Sequence, residues 1–97
     1  MIKGTTSTGF QYEYDETRLD DMRFVDVLAV VVDPEAPQFE KIAGASRLLT
    51  MLLGEDMKKA LYEHIGKNHD GRVPRADLEA ALEEIMQGQE KDAEKNS

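Results

Sequence analysis

The sequence predicts a mainly α-helical fold, a small four-helix domain with a short N-terminal β-strand or hairpin. Apolar residues recur at helical spacing in four segments, glycine and proline punctuate the boundaries, and one short segment alternates aromatic and polar residues. A chain of 97 residues can bury one modest core. We therefore expect a flexible N-terminal segment at residues 1–9, a single helical domain at 10–88 and a disordered charged tail at 89–97.

The strand is predicted by an aromatic alternation near the N-terminus. Phe10, Tyr12 and Tyr14 are separated by single polar residues, which places three rings on one face of a strand. A lone strand leaves backbone groups unpaired, so it needs a neighbour, either residues 2–7 in a hairpin or a second copy of the chain. The rings can pack on a helix in the core or form a surface for a partner, and both roles stay open.

The first helix is predicted from Thr17 to Asp33. Residues 17–20 resemble a capping box with Asp20 in the place of the usual Glu, and apolar residues follow at helical spacing. The next residue is Pro34, which disfavours the α conformation in the residue before it and so ends the helix. The valine-rich stretch at residues 27–32 argues against this helix, because valine prefers strands.

Glycine and proline delimit three further helices. The second covers residues 39–53 and is stopped by Gly54, and the third covers residues 55–66. The fourth follows Pro74, which suits the start of a helix, and is expected to end at Gly88.

The second helix carries more apolar surface than one face needs. Leu48, Met51 and Leu52 belong to a run with five apolar residues in six positions, so part of this surface can face a second subunit. Together with the three aromatic residues, they form the predicted partner-binding or self-association set. The set is Phe10, Tyr12, Tyr14, Leu48, Met51 and Leu52.

The composition argues against several classes of function. Twelve basic and twenty acidic residues give a net charge of −8 without a dense basic cluster, so the chain should repel a nucleic-acid backbone. The absence of cysteine removes disulfides and thiolate chemistry. The longest apolar run has six residues, against roughly 20 for a membrane helix, and no signal peptide is visible. We expect a cytoplasmic protein that binds neither nucleic acid nor membrane.

No metal site or catalytic site is predicted. The loop at residues 66–77 has some features of an EF-hand, but Gly66 and Asp77 stand where calcium binding needs a carboxylate and a bidentate Glu. His64 and His69 are five residues apart and do not stack on one helix face. The sequence also lacks a nucleophile–base set and a glycine-rich phosphate loop, so we expect a non-enzyme without a cofactor.

The order of the elements matches a known pattern. The elements follow one another in this order: an aromatic strand, an acidic helix start, a helix end with two leucines before a glycine, a polar turn and a charged C-terminus. These elements lie at residues 9–14, 19–21, 52–56, 70–73 and 95–97. In this order the chain resembles the small tail assembly chaperones of long-tailed bacteriophages and of their prophage remnants.

The resemblance implies a non-catalytic role in virion assembly. Such proteins coat the long helical tape measure protein, keep it soluble and present it to the tail tube subunits. They act in the host cytoplasm and leave before the virion is finished. It therefore implies the tape measure protein as partner, the tail tube protein as a further candidate, and a homo-oligomeric chaperone.

A second hypothesis starts from the carboxylates of residues 13–40. An acidic protein can mimic the phosphate backbone and occupy a nucleic-acid site on a host protein. This role requires Asp20, Asp21 and Asp26 to line one face, and charge reversal there should abolish binding. The simpler interpretation is a solvated, acidic helix face.

Overall fold

A computed structural model describes the backbone of residues 1–95 and the side chains of residues 1–88. Within that range, two strands are followed by a 3-10 helix and four α-helices. The elements are β1 (Ile2–Thr5), β2 (Gln11–Tyr14), the 3-10 helix (Glu16–Asp20), α1 (Met22–Val32), α2 (Gln38–Leu53), α3 (Glu55–Gly66) and α4 (Arg75–Lys95). The predicted fold class, helical with an N-terminal hairpin, is confirmed.

Strands β1 and β2 pair as an antiparallel hairpin within the chain, with Ile2 opposite Tyr14. The connecting turn is closed by the Thr6 N–H, which donates to the Phe10 carbonyl at 2.8 Å, and it contains Gly9 at φ 96°. The expectation of a flexible segment at residues 1–9 is therefore wrong for β1. Its backbone is paired and the Ile2 side chain is only 2% exposed, so the strand belongs to the domain.

The core lies where the hairpin, α2 and α4 meet, with α3 closing one side. Helix α2 is the central element, because Leu48, Leu49 and Leu52 are at most 1% exposed. Leu61 of α3 and Ile85 of α4 are equally buried. The boundaries of α2 and α3 agree with the predicted ones to within a residue.

Helix α1 begins at Met22, five residues later than predicted. Asp15 accepts hydrogen bonds from the backbone N–H and hydroxyl of Thr17, at 2.9 and 2.8 Å, and so caps the 3-10 helix instead. Asp21 then has an extended backbone (φ −104°) and caps α1 by accepting from the Arg23 N–H at 2.9 Å. Two successive aspartate caps thus divide the predicted helix into two.

Helix α4 passes through Gly88 and continues to Lys95, so the predicted helix end at Gly88 is wrong. A Cβ at this glycine would overlap the Tyr12 hydroxyl. The glycine therefore allows the hairpin to approach the helix closely. The predicted tail begins at residue 89; its backbone is helical to Lys95, and residues 96–97 lie outside the described range.

None of the helices in the described part of the chain has both the length and the apolar character needed to cross a membrane.

Candidate functional site

Five of the six residues predicted to bind a partner are core residues. Phe10, Tyr12 and Tyr14 are 3–7% exposed, and Leu48 and Leu52 are at most 1% exposed. The sixth, Met51, is partly buried against the core, where its carbonyl accepts a hydrogen bond from the Arg18 guanidinium at 3.0 Å. Of the two roles left open for the rings, the structure has core packing, and Met51 is the one member of the set that is not fully buried.

Tyr12 shows how tightly the hairpin is packed. Its hydroxyl lies over Gly4 on one side and Gly88 on the other, at positions where an added Cβ would overlap it. Burial, with a smaller contribution from the negative charge of Glu84, raises the pKa of the Tyr12 hydroxyl. The neighbouring Tyr14 hydroxyl donates to the Ile85 carbonyl at 3.1 Å.

A groove of about 560 Å³ lies between α1 and α4, across α2. Leu28 and Val31 of α1 form one wall, Leu82 and Met86 of α4 form the other, and Ala45 of α2 forms the floor. We call this feature the α1–α4 groove. Its volume falls within the roughly 300–1,000 Å³ of typical ligand-binding pockets. The lining is mainly aliphatic and therefore suits an apolar side chain better than a polar metabolite.

The rim of the α1–α4 groove carries charge of both signs. Glu79, Glu83 and Gln87 lie along the α4 side, and Gln38 and Lys41 come from α2. The α1 wall contributes only aliphatic side chains. The groove is thus an apolar trough with two carboxylates on one edge and one ammonium group near its floor.

Two exposed apolar side chains lie on either side of the α1–α2 connection. Val32, at the end of α1, lines the groove and is 66% exposed. Phe39, in the first turn of α2, is 86% exposed and does not line the groove. Helix α1 itself buries only Phe24.

Sequence reasoning assigned Phe39 to the buried stripe of the second helix and did not identify the groove. A usable signal was present, because Val27–Val32 and Phe39 supply more apolar residues than an 11-residue surface helix and its connection can bury on one face. The sequence does not show, however, which of these surplus apolar residues face α4; only the tertiary structure shows it.

Both histidines line a second, polar cleft of about 210 Å³ beneath the hairpin turn. His64 Nε2 lies 3.1 Å from the Thr8 hydroxyl, and the Glu84 carboxylate accepts from the Ser7 N–H at 3.1 Å. His69 Nε2 lies 2.6 Å from the Asp77 carboxylate. These contacts hold the hairpin turn and the α3–α4 loop against the helices. A structural role therefore explains the polar side chains of this cleft.

Among the described residues, no three or more His, Asp or Glu side chains are grouped to hold a metal ion. In the loop compared with an EF-hand, Asp77 contacts His69 and the bend is made by Asp70 and Gly71, at φ 56° and 87°. The polar turn expected at residues 70–73 thus has its bend at its first two residues.

Much of the acidic strip at residues 13–40 serves local structure. Asp21 caps α1 and forms an ion pair with Arg23 at 2.9 Å, and these hydrogen bonds lower the pKa of its carboxyl. The pKa of Asp15 is lowered in the same way by hydrogen bonds from Thr17. Asp26 lies at a shallow depression between α1 and α2 that also contains Arg47.

Comparison with known proteins returns no match: no protein-family model fits the sequence, and no curated protein or solved structure is significantly similar to the chain.

Proposed function

We propose that this protein is a non-catalytic assembly chaperone that holds an amphipathic helix of another protein in the α1–α4 groove. The observation that carries the proposal is the groove itself, with aliphatic side chains on both walls and with Val32, a lining residue that is 66% exposed. Following the resemblance in element order, we propose the tape measure protein of a phage tail as the source of that helix. On this proposal the protein acts in the host cytoplasm and keeps its client soluble until the tail tube assembles.

The shape of the groove supports a helix as the occupant. Helices α1 and α4 both pack on α2 and leave the space between them open. A partner helix laid in that space would contact all three and would present its apolar positions at i, i+3, i+4 and i+7 to the aliphatic walls.

The exposed apolar surface of the groove supplies a driving force for binding. Val32 lines the groove and is 66% exposed in the free protein. Complete burial of such a side chain contributes about 1.5–3 kcal/mol. Losing its apolar surface should therefore weaken binding by roughly tenfold.

The acidic-inhibitor hypothesis receives less support. Asp21 is occupied as a helix cap and as the ion-pair partner of Arg23. A carboxylate that is already paired with a cation is a poor mimic of a phosphate group. Self-association, which the resemblance also implies, stays a prediction that light scattering of the purified protein can test.

The binding test uses a labelled 18-residue amphipathic peptide with leucine and methionine on one face and glutamine and serine on the other. Fluorescence anisotropy would follow its titration with the wild-type protein, Val32→Ser and Met22→Ser. Val32 lines the groove and is 66% exposed, and Met22 is a matched control because it is 67% exposed but does not line the groove. We expect Val32→Ser to weaken binding about tenfold and Met22→Ser to leave it unchanged.

Failure of the wild-type protein to bind the peptide, or equal losses in both variants, would contradict the proposal. The tape measure assignment has its own test, which is the DNA beside the gene. A neighbouring gene for a very long helical protein supplies the natural client, whose fragments should stay in the supernatant with the wild-type chain and pellet with Val32→Ser. Neighbouring regulators or a restriction cassette would count against it.

A further inference from the structure

We infer that the helix bound in the α1–α4 groove comes from a different protein and carries two Lys or Arg residues four positions apart on the flank that faces α4. This inference rests on the proposed function and deepens it by naming the chemistry of the partner. It follows from where the charged side chains of the groove lie.

The α4 edge of the groove presents two carboxylates with helical spacing. Glu79 and Glu83 are four residues apart, so they lie on one face of α4 and are separated by about 6 Å along its axis. A partner helix lying along α4 presents basic residues with the same separation when these are also four positions apart. Each basic side chain can then meet one carboxylate.

Among the residues whose side chains the structure describes, both carboxylates have only weak partners. Glu79 lies 4.0 Å from the Arg75 guanidinium, at the limit of an ion pair, and Glu83 accepts from the Gln87 amide at 3.4 Å. Their side chains line the groove, so they remain able to accept stronger, charge-assisted hydrogen bonds from a ligand.

Lys41 makes the groove electrostatically asymmetric. It lines the groove from α2, and in the described part of the chain no carboxylate lies within ion-pair distance of it. A basic flank turned away from α4 would meet this ammonium group and the uncharged α1 wall. Because reversing a helix in a groove exchanges its two flanks, the charges should also select one direction of the bound helix.

A second copy of this chain does not supply such a helix. Among its helices, only α4 has two basic residues four positions apart, which are Lys91 and Lys95 near its C-terminal end. Ala93 is the sole apolar side chain in residues 87–95, so this segment lacks the apolar stripe that the aliphatic groove walls require. The net charge of −8 further opposes self-docking at an acidic edge. A helix that combines an apolar stripe with a basic flank therefore comes from another protein.

The test compares three peptides that share one apolar face and differ only at two positions four apart on one flank, which hold Lys, Gln or Glu. We expect the Lys peptide to bind the full-length protein about tenfold more tightly than the Glu peptide at low salt, with the Gln peptide between them. The difference should shrink to about twofold in 0.5 M NaCl, because salt screens charges at an exposed rim.

The variant Glu79→Gln/Glu83→Gln should remove the preference for the Lys peptide. The matched control Glu55→Gln/Glu63→Gln removes two carboxylates from α3, outside the groove, and should keep the preference. Equal affinity of all three peptides for the wild-type protein, or the same loss of preference in both variants, would overturn the inference and leave the proposed function standing. If none of the peptides binds, the proposed function fails.

Discussion

The hairpin and α1 differ in how far their apolar residues are buried. Tyr12 and Tyr14 of β2 are at most 7% exposed, whereas α1 buries only Phe24 and leaves Val32 66% exposed. The hairpin is fixed by close packing and hydrogen bonds to α4. Helix α1 lies on α2 with its groove-facing wall uncovered. An exposed apolar wall beside a fixed scaffold is the arrangement expected for a binding surface.

A glycine lies where the hairpin contacts α4 and another lies where α1 contacts α2, but the consequences differ. Gly88 lets the Tyr12 hydroxyl approach α4, and Gly44 lets Val31 approach α2, where an added Cβ would lie 2.8 Å from a Val31 methyl carbon. The first contact, together with Gly4, encloses the Tyr12 hydroxyl. The second brings α1 close to α2, while Leu28, Val31 and Val32 of α1 still line the open groove.

The largest expected effect concerns the anchor of α1. Phe24→Ala removes the one buried side chain of that helix (2% exposed), which should lower the free energy of unfolding by about 3–5 kcal/mol. Urea denaturation would measure the loss. Met22→Ala, on the same helix but 67% exposed, should change it by no more than about 0.5 kcal/mol. Similar small effects of both substitutions would mean that α1 is not anchored as described.

The next prediction tests the close packing of the hairpin. Gly88→Ala should lower the free energy of unfolding by about 1–3 kcal/mol, because the new methyl group meets the Tyr12 hydroxyl. This loss should appear although alanine is favoured over glycine within a helix by about 1 kcal/mol. The measurement is again chemical denaturation.

Removing the Tyr12 hydroxyl tests whether its contact with position 88 causes the loss of stability. In a Tyr12→Phe background, the nearest remaining ring carbon would lie 3.3 Å from the new Cβ at position 88, so Gly88→Ala should cost much less. Gly4→Ala should stay costly in the same background, because the Tyr12 ring carbon Cζ would lie 2.6 Å from its Cβ. Equal rescue of both glycine variants would contradict the described packing.

A smaller effect is expected at Tyr14. Tyr14→Phe removes the hydrogen bond from the phenol to the Ile85 carbonyl, at 3.1 Å, and should lower the free energy of unfolding by about 1 kcal/mol. Thermal unfolding can detect this change in a domain of this size. An unchanged stability would show that this bond does not help to hold the hairpin on α4.

The smallest effect is a pH dependence at the α1 cap. Hydrogen bonds from Arg23 lower the pKa of Asp21 below its unfolded value of about 3.9, so the contribution is fully present above that pH. It is lost as the pH falls through the lower, folded pKa. Asp21→Asn keeps a capping oxygen but does not titrate there. Between pH 6 and 2 the wild-type melting temperature should therefore fall slightly more than that of Asp21→Asn; parallel curves would contradict this role.

The helical elements could be predicted because their boundaries are local. Gly54 and the Asp70–Gly71 bend have positive φ angles, a requirement that the residue types themselves reveal. The prediction of a helix end at Gly88 is wrong because it also used only local information. A glycine at the end of an apolar stripe resembles a helix stop, but here its small size matters for a contact with Tyr12, 76 residues earlier.

The candidate site was less predictable because it depends on what covers each apolar face. The three rings of the N-terminal segment and the valines of α1 both form apolar patterns in sequence, and nothing local says which pattern is covered by α4. The valines form a helix because Asp21 caps it and Phe24 anchors it, despite their preference for strands. The groove follows only from the positions of α1 and α4 on α2.

The most direct test of the account is an NMR titration of the isotope-labelled protein with the Lys-flanked amphipathic peptide. We predict shifts for Leu28, Val31, Ala45, Leu82 and Met86 in the α1–α4 groove, with the signals of the buried Tyr12 and Tyr14 unchanged. Shifts concentrated at the hairpin, or no shifts at saturating peptide, would contradict the assignment of the groove as the binding site.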